Sequence, residues 1–145
     1  MRKLFVSLLL GFAAIAIDYG QDPADSARYF YGESRQAISA GDFLRSETFL
    51  KRIIDEKYEL SNYNLALVHN ALGFVYYETG RFKETLEQYR IAESLASATD
   101  RNTLQLRITI HINQAIYHKD LGDYTNSLQY NNEAFRLLSL IPEWD

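Results

Sequence analysis

Apolar residues recur every three or four positions through most of the chain, which is the period of a helix with one buried face. Two such runs follow one another: Leu65, Val68, Leu72, Val75 and Thr79, then Phe82, Leu86, Tyr89, Ala92 and Leu95. Helix-start signals stand at Asp22-Pro23, Ser61 and Asp100. The pattern predicts six helices, at about 23–40, 43–57, 62–79, 82–97, 101–121 and 124–140.

One segment carries a second pattern. Residues 104–113 alternate between apolar and polar side chains and are rich in β-branched types, which taken alone indicates a half-buried strand. A helix is favoured because the register of the glycine-marked repeats described below places a helix here, and because the sequence offers no partner strand. We therefore predict a helix that is apolar on two sides because it lies between neighbours.

A glycine, a polar residue and an aromatic residue occur together three times. The triplets are Gly41-Asp42-Phe43, Gly80-Arg81-Phe82 and Gly122-Asp123-Tyr124, at spacings of 39 and 42 residues. A glycine just past a helix can close it in the left-handed conformation, and Asp42 and Asp123 can cap the next helix. Such short connections predict antiparallel helix hairpins.

Residues 1–20 have the order of an export signal. Two basic residues precede an uncharged run over 4–17, with a small-x-small site at Ala14-Ile15-Ala16 and a second candidate cleavage site at Gly20-Gln21. We predict a signal peptide over 1–20, cleaved near Ala16 or Gly20, and an exported chain in the periplasm or cell envelope. An uncleaved anchor and a buried first helix are the alternatives. The apolar run is shorter than the ~20 residues of a membrane span, and no later stretch qualifies, so no span is expected in the mature chain.

Composition excludes several classes of function. The net charge of −4 lacks the basic footprint of a nucleic-acid-binding protein. The absence of cysteine excludes disulfides, thiolate metal sites and cysteine nucleophiles. No phosphate-binding loop or hydrolase motif occurs, so we predict no catalysis, no cofactor and no metal. His69, His111 and His118 are interpreted as packing residues, although three histidines could hold zinc.

The middle of the chain resembles a tetratricopeptide repeat. Leu72-Gly73-x-x-Tyr76, followed by Gly80, Thr85, Tyr89 and Ala92, is similar to the pattern of that family. The resemblance extends over three repeats at about 27–60, 66–99 and 108–141, the first of them degenerate. It implies an all-α solenoid of stacked helix hairpins over 21–145, similar to exported Bacteroidota-like tetratricopeptide proteins.

The resemblance also implies a site. In this family the first helix of each pair lines a concave face that binds a protein or peptide. By matching offsets, the first repeat supplies Arg28, Tyr31, Arg35 and Ile38, the second Leu67, Asn70, Phe74 and Tyr77, and the third Thr109, Ile112, Ile116 and Lys119. The alternative is that about half of these residues pack against neighbouring helices.

Two further expectations concern the whole protein. A non-catalytic binding scaffold is the preferred function, and an extracytoplasmic sensor segment of a histidine kinase or helix-turn-helix regulator is the alternative. The last helix carries Leu128, Phe135 and Leu138, so a continued array, a partner, a second copy or the tail around Trp144 is expected to cover it.

Overall fold

The computed structural model describes residues 24–141, and within them the chain is all-helical, with six helices and no strand. The helices are α1 (Ala24–Ala40), α2 (Phe43–Asp55), α3 (Asn62–Glu78), α4 (Phe82–Leu95), α5 (Arg101–Asp120) and α6 (Tyr124–Leu138). The predicted order of helices is confirmed. The strand-like segment 104–113 lies inside α5, because burial between neighbours outweighs local β propensity. The predicted signal peptide, the Asp22-Pro23 start and Trp144 lie outside the described residues.

The three glycine loops share one geometry. Gly41, Gly80 and Gly122 have φ of 75°, 76° and 77°. In each loop the residue after the glycine donates its N–H to the carbonyl five positions earlier, at 2.8 Å. This bond satisfies a carbonyl that the helix end would leave open. Three loops of one geometry therefore reverse the chain in the same way.

Side-chain caps begin four of the helices. Asp42 and Asp123 accept hydrogen bonds from the N–H groups of Arg45 and Asn126, at 3.1 and 3.2 Å. Ser61 and Asp100 cap α3 and α5 in the same manner. Each cap occupies a donor in the first helical turn, as the sequence predicts.

The helices pack as consecutive pairs, α1 with α2, α3 with α4 and α5 with α6. Successive pairs are joined where α2 packs on α3, and where α5 packs on both α3 and α4. Side chains such as Leu50, Ile53, Val75 and Ile110 are almost completely buried in the shared core. The core therefore runs through the pairs. Among the described residues, no helix combines the length and apolar character needed to cross a bilayer.

The junctions between pairs repeat an aromatic contact. Phe43 at the start of α2 meets Phe74 of α3 edge-to-face, with ring centroids 6.4 Å apart. Phe82 at the start of α4 meets Tyr117 of α5 in the same way, at 6.2 Å. Such pairs stabilise by about 0.5–1.5 kcal/mol beyond the area they bury. Tyr124 occupies the matching position at the start of α6 and is exposed.

Candidate functional site

Six of the twelve residues predicted on the first-helix face are buried. They are Tyr31, Ile38, Leu67, Asn70, Phe74 and Thr109. Tyr31, Ile38, Leu67 and Phe74 belong to one continuous apolar cluster. Leu67, Asn70 and Phe74 are buried because α3 packs against α2, α4 and α5 and so has little open surface. These side chains contribute to the core of the isolated chain.

The other six predicted residues keep contact with solvent. Arg28 and Lys119 are exposed, and partial exposure is shared by Arg35, Tyr77, Ile112 and Ile116. Three of the six are cations and none is a carboxylate. These six residues therefore carry three positive charges in a chain whose net charge is −4.

Two polar contacts place α3 and α5 side by side. The Asn113 side-chain amide donates to the Asn70 side-chain oxygen at 3.0 Å, with both side chains buried. The Tyr77 hydroxyl donates to the Asp120 carboxylate. Each contact joins residues 43 positions apart, and the two lie seven residues apart on each helix. The helices are therefore parallel over about two turns.

The second contact brings together part of the predicted site. Asp120 also lies 3.4 Å from the Lys119 ammonium, so Tyr77, Lys119 and Asp120 form one polar cluster at the end of α3 and α5. Arg28, by contrast, lies on α1, which packs chiefly on α2. The second and third repeats therefore supply the most compact group of open site residues.

An arginine outside the predicted site links the first two helix pairs. Arg81 donates from Nη1 to the Glu47 carboxylate at 2.8 Å and from Nε to Glu84 at 3.1 Å. Its guanidinium also lies over the Tyr76 ring, 4.0 Å from the centroid. The paired carboxylates raise the pKa of Arg81, and a backbone hydrogen bond and Arg81 lower the pKa of Glu84. Sequence reasoning missed this link because Glu47 is 34 residues away.

A depression of about 780 Å³ opens beside α6. Its lining includes charged residues of both signs from three helices: Glu93, Arg107, Glu133 and Arg136, together with His111 and Tyr130. Arg136 donates two hydrogen bonds to Glu133 on α6, at 2.5 and 2.8 Å. Of the lining residues, only this pair could be placed together from the sequence, because a spacing of three puts both side chains on one helix face. Glu93 comes from α4, and no local pattern joins it to them.

Two histidines stack on one tyrosine at the edge of this depression. The Tyr130 ring lies 5.8 Å from the ring of His111 and 5.4 Å from that of His118, with small angles between the planes. His118 also bonds through Nδ1 to Asp123 at 3.0 Å. Burial lowers the pKa of His111, although Glu93 and Glu133 oppose the effect. Over residues 24–141, no three His, Cys, Asp or Glu side chains come together in a way that could hold a metal ion.

No family model matches the sequence, and neither a curated protein nor a solved structure matches it.

Proposed function

We propose that the chain is an exported, non-catalytic scaffold of the tetratricopeptide type that binds a protein or peptide. The proposal is supported by the repetition of one loop geometry and one aromatic junction along the chain. Elements that repeat their neighbour contacts stack into a solenoid, and solenoids bind partners along an extended face.

The observation that carries the function is the parallel packing of α3 and α5. It places Tyr77 and Lys119 together and leaves Ile112 and Ile116 partly open on the same helix as Lys119. A surface with an aromatic ring, aliphatic side chains and a cation suits a peptide segment better than a small apolar ligand.

The positive charges on the first helices indicate which class of peptide this surface would bind. Arg28, Arg35 and Lys119 carry positive charge among the six predicted site residues that contact solvent, and none of the six is a carboxylate. Opposite charge speeds association and excludes like-charged competitors. The proposed ligand is therefore an acidic segment with apolar side chains.

The test compares peptide binding by two charge-reversed variants. Acidic peptides are first selected from a displayed peptide library for binding to the full chain. The affinity of the selected peptides for the wild type, Lys119→Glu and Lys83→Glu is then measured by fluorescence anisotropy. Lys83 is an exposed lysine on α4 and serves as the matched control. Lys119→Glu should weaken binding at least about fivefold, and Lys83→Glu should change it little. Equal effects of the two variants, or failure to select any peptide, would contradict the proposal.

A further inference from the structure

The depression beside α6 lies outside the proposed peptide surface. Its volume of about 780 Å³ falls within the roughly 300–1,000 Å³ of small-molecule sites, and none of the residues predicted on the first-helix face lines it. Three half-buried charged residues stand in its wall: Glu93 of α4, Arg107 of α5 and Glu133 of α6. The depression therefore has the size and the polar groups to hold a small polar molecule.

The preceding repeat shows that these charges are not needed to pack the helices. The glycine loops set offsets of 39 residues for α4 and of 42 residues for α5 and α6. At the three equivalent positions the chain carries aliphatic side chains that are likewise half-buried: Ile54, Leu65 and Ile91. Partial burial of a charge costs free energy, whereas partial burial of an aliphatic side chain stabilises the fold. Three such replacements around one depression indicate a binding role.

Two of these charges have no strong ionic partner. Glu133 is already paired within α6. The Glu93 carboxylate faces the Gln114 amide at 3.2 Å and the His111 imidazole at 3.8 Å. Among residues 24–141, no carboxylate lies within ion-pair distance of Arg107. One negative and one positive charge are therefore open to a ligand.

These two charges lie close together around His111. Nε2 of His111 is 3.8 Å from the Glu93 carboxylate, and Arg107 precedes His111 by four residues on α5. Side chains four residues apart on a helix are neighbours, with Cβ atoms about 5–6 Å apart. Opposite charges at such a separation can bind the ammonium and the carboxylate of one small molecule.

The buried imidazole also has an unused nitrogen. In the preceding repeat, Nδ1 of the equivalent His69 lies 2.7 Å from the side-chain oxygen of Gln88. Tyr130 takes the place of this glutamine in the third repeat and stacks on His111. His111 is 3% exposed, and its Nδ1 has no hydrogen-bond partner in the part of the chain that the structure describes. Unpaired buried polar atoms are few in folded proteins, and this one belongs to a residue of the depression.

We infer that the depression binds a free α-amino acid, whose carboxylate bonds to Arg107 and whose ammonium bonds to Glu93. Charges of both signs disfavour a phosphate or a polyamine, because each would be repelled by one of the two residues. The polar lining disfavours an apolar ligand, because the two charges would lose water without gaining a partner. A zwitterion satisfies both charges at once.

Calorimetric titration of the full chain tests the ligand. The standard L-amino acids are first screened by the rise in thermal midpoint, and the dissociation constant of the best one is then measured. Its amine and carboxylic-acid analogues, each of which lacks one charge, should bind at least about tenfold more weakly. No binding by any amino acid, or equal binding of a singly charged analogue, would overturn the inference.

Two substitutions test the residues. Arg107→Leu and Glu93→Ile introduce the aliphatic residues of the preceding repeat, so both variants should fold, which circular dichroism verifies. Each should weaken amino-acid binding at least about tenfold. Lys51→Leu is the matched control, since it removes an exposed cation of α2 outside the depression, and Lys119→Glu separates this site from the peptide surface. Both should bind as the wild type does. Binding that survives Arg107→Leu and Glu93→Ile, or an equal loss in Lys51→Leu, would overturn the inference.

Discussion

The ring of Tyr89 on α4 lies directly against the backbone of Gly73 on α3. A Cβ atom on residue 73 would be 2.6 Å from two atoms of that ring, closer than unbonded carbon atoms approach. Tyr89 is almost completely buried, and burial raises the pKa of its hydroxyl. The pair therefore fixes how closely the two helices of the middle hairpin approach.

Gly73→Ala should destabilise the chain, although alanine is the better helix former. Because the Tyr89 ring is almost completely buried, overpacking of about 1–3 kcal/mol should exceed the propensity gain of about 1 kcal/mol and leave a net loss of up to about 2 kcal/mol. Gly32→Ala is the control, because Gly32 lies inside α1 with no atom within 4 Å of its added Cβ. It should be neutral or stabilise by about 0.5–1 kcal/mol. Urea unfolding measures both, and a more stable Gly73→Ala variant would contradict the packing.

Gly80→Val should lower the free energy of unfolding by about 1–3 kcal/mol, because a β-branched residue resists the left-handed conformation. The φ of Gly80 is 76° and its added Cβ would meet no atom, so the penalty is conformational. Gly80→Asn should cost less, since asparagine adopts this conformation more readily. Equal thermal midpoints for the two variants and the wild type would show that the loop does not close as described.

Phe74→Ala and Tyr77→Ala should separate folding from binding. Phe74 is 3% exposed and packs on Phe43, so its truncation should cost about 3–5 kcal/mol of stability. Tyr77 is partly open, and its truncation should weaken peptide binding at a much smaller cost in stability. Thermal unfolding and peptide titration of each variant measure the two effects. Loss of peptide binding without loss of stability in Phe74→Ala, together with strong destabilisation in Tyr77→Ala, would contradict this assignment.

The chain should lose stability as the pH falls below about 6.5, in part through His111. Burial lowers the pKa of His111 from its ordinary value of 6.5, so the unfolded chain takes up this proton before the folded chain does. The contribution of neutral His111 to the free energy of unfolding is therefore fully present above pH 6.5 and declines below it. Glu93 and Glu133 limit the size of this decline because they favour the protonated form of His111. His111→Gln should flatten the stability profile between pH 6.5 and the lower pKa of the folded state. An unchanged profile would exclude His111 as the cause.

Local signals were sufficient for the helices. The glycine triplets and the caps Ser61 and Asp100 mark the helix ends through hydrogen bonds that form within a few residues. The predicted helices match the observed ones to within about two residues, and the overlapping strand pattern at 104–113 yields to tertiary packing.

The site was harder to predict because exposure depends on neighbours distant in sequence. Leu67 and Asn70 stand at positions that the repeat pattern assigns to the open face, yet α5 packs against α3 and buries Asn70 beneath Asn113. The depression beside α6 has the same origin, since Glu93 reaches it from another helix. The sequence pattern indicates on which side of a helix a residue lies, but not which neighbouring helix covers that side.

Cross-linking across α3 and α5 most directly tests the proposed stacking, in which the second and third hairpins lie with their first helices side by side. In the full, cysteine-free chain, Tyr77→Cys with Asp120→Cys should be bridged within one chain by a short bismaleimide, because the two native side chains touch. Tyr77→Cys with Asn62→Cys is the control pair, because Asn62 is exposed and lies 15 residues before Tyr77 on α3, about 22 Å along the helix axis. Rapid bridging of the first pair alone is the predicted result. Equal bridging of both pairs, or none of the first, would contradict the stacked arrangement.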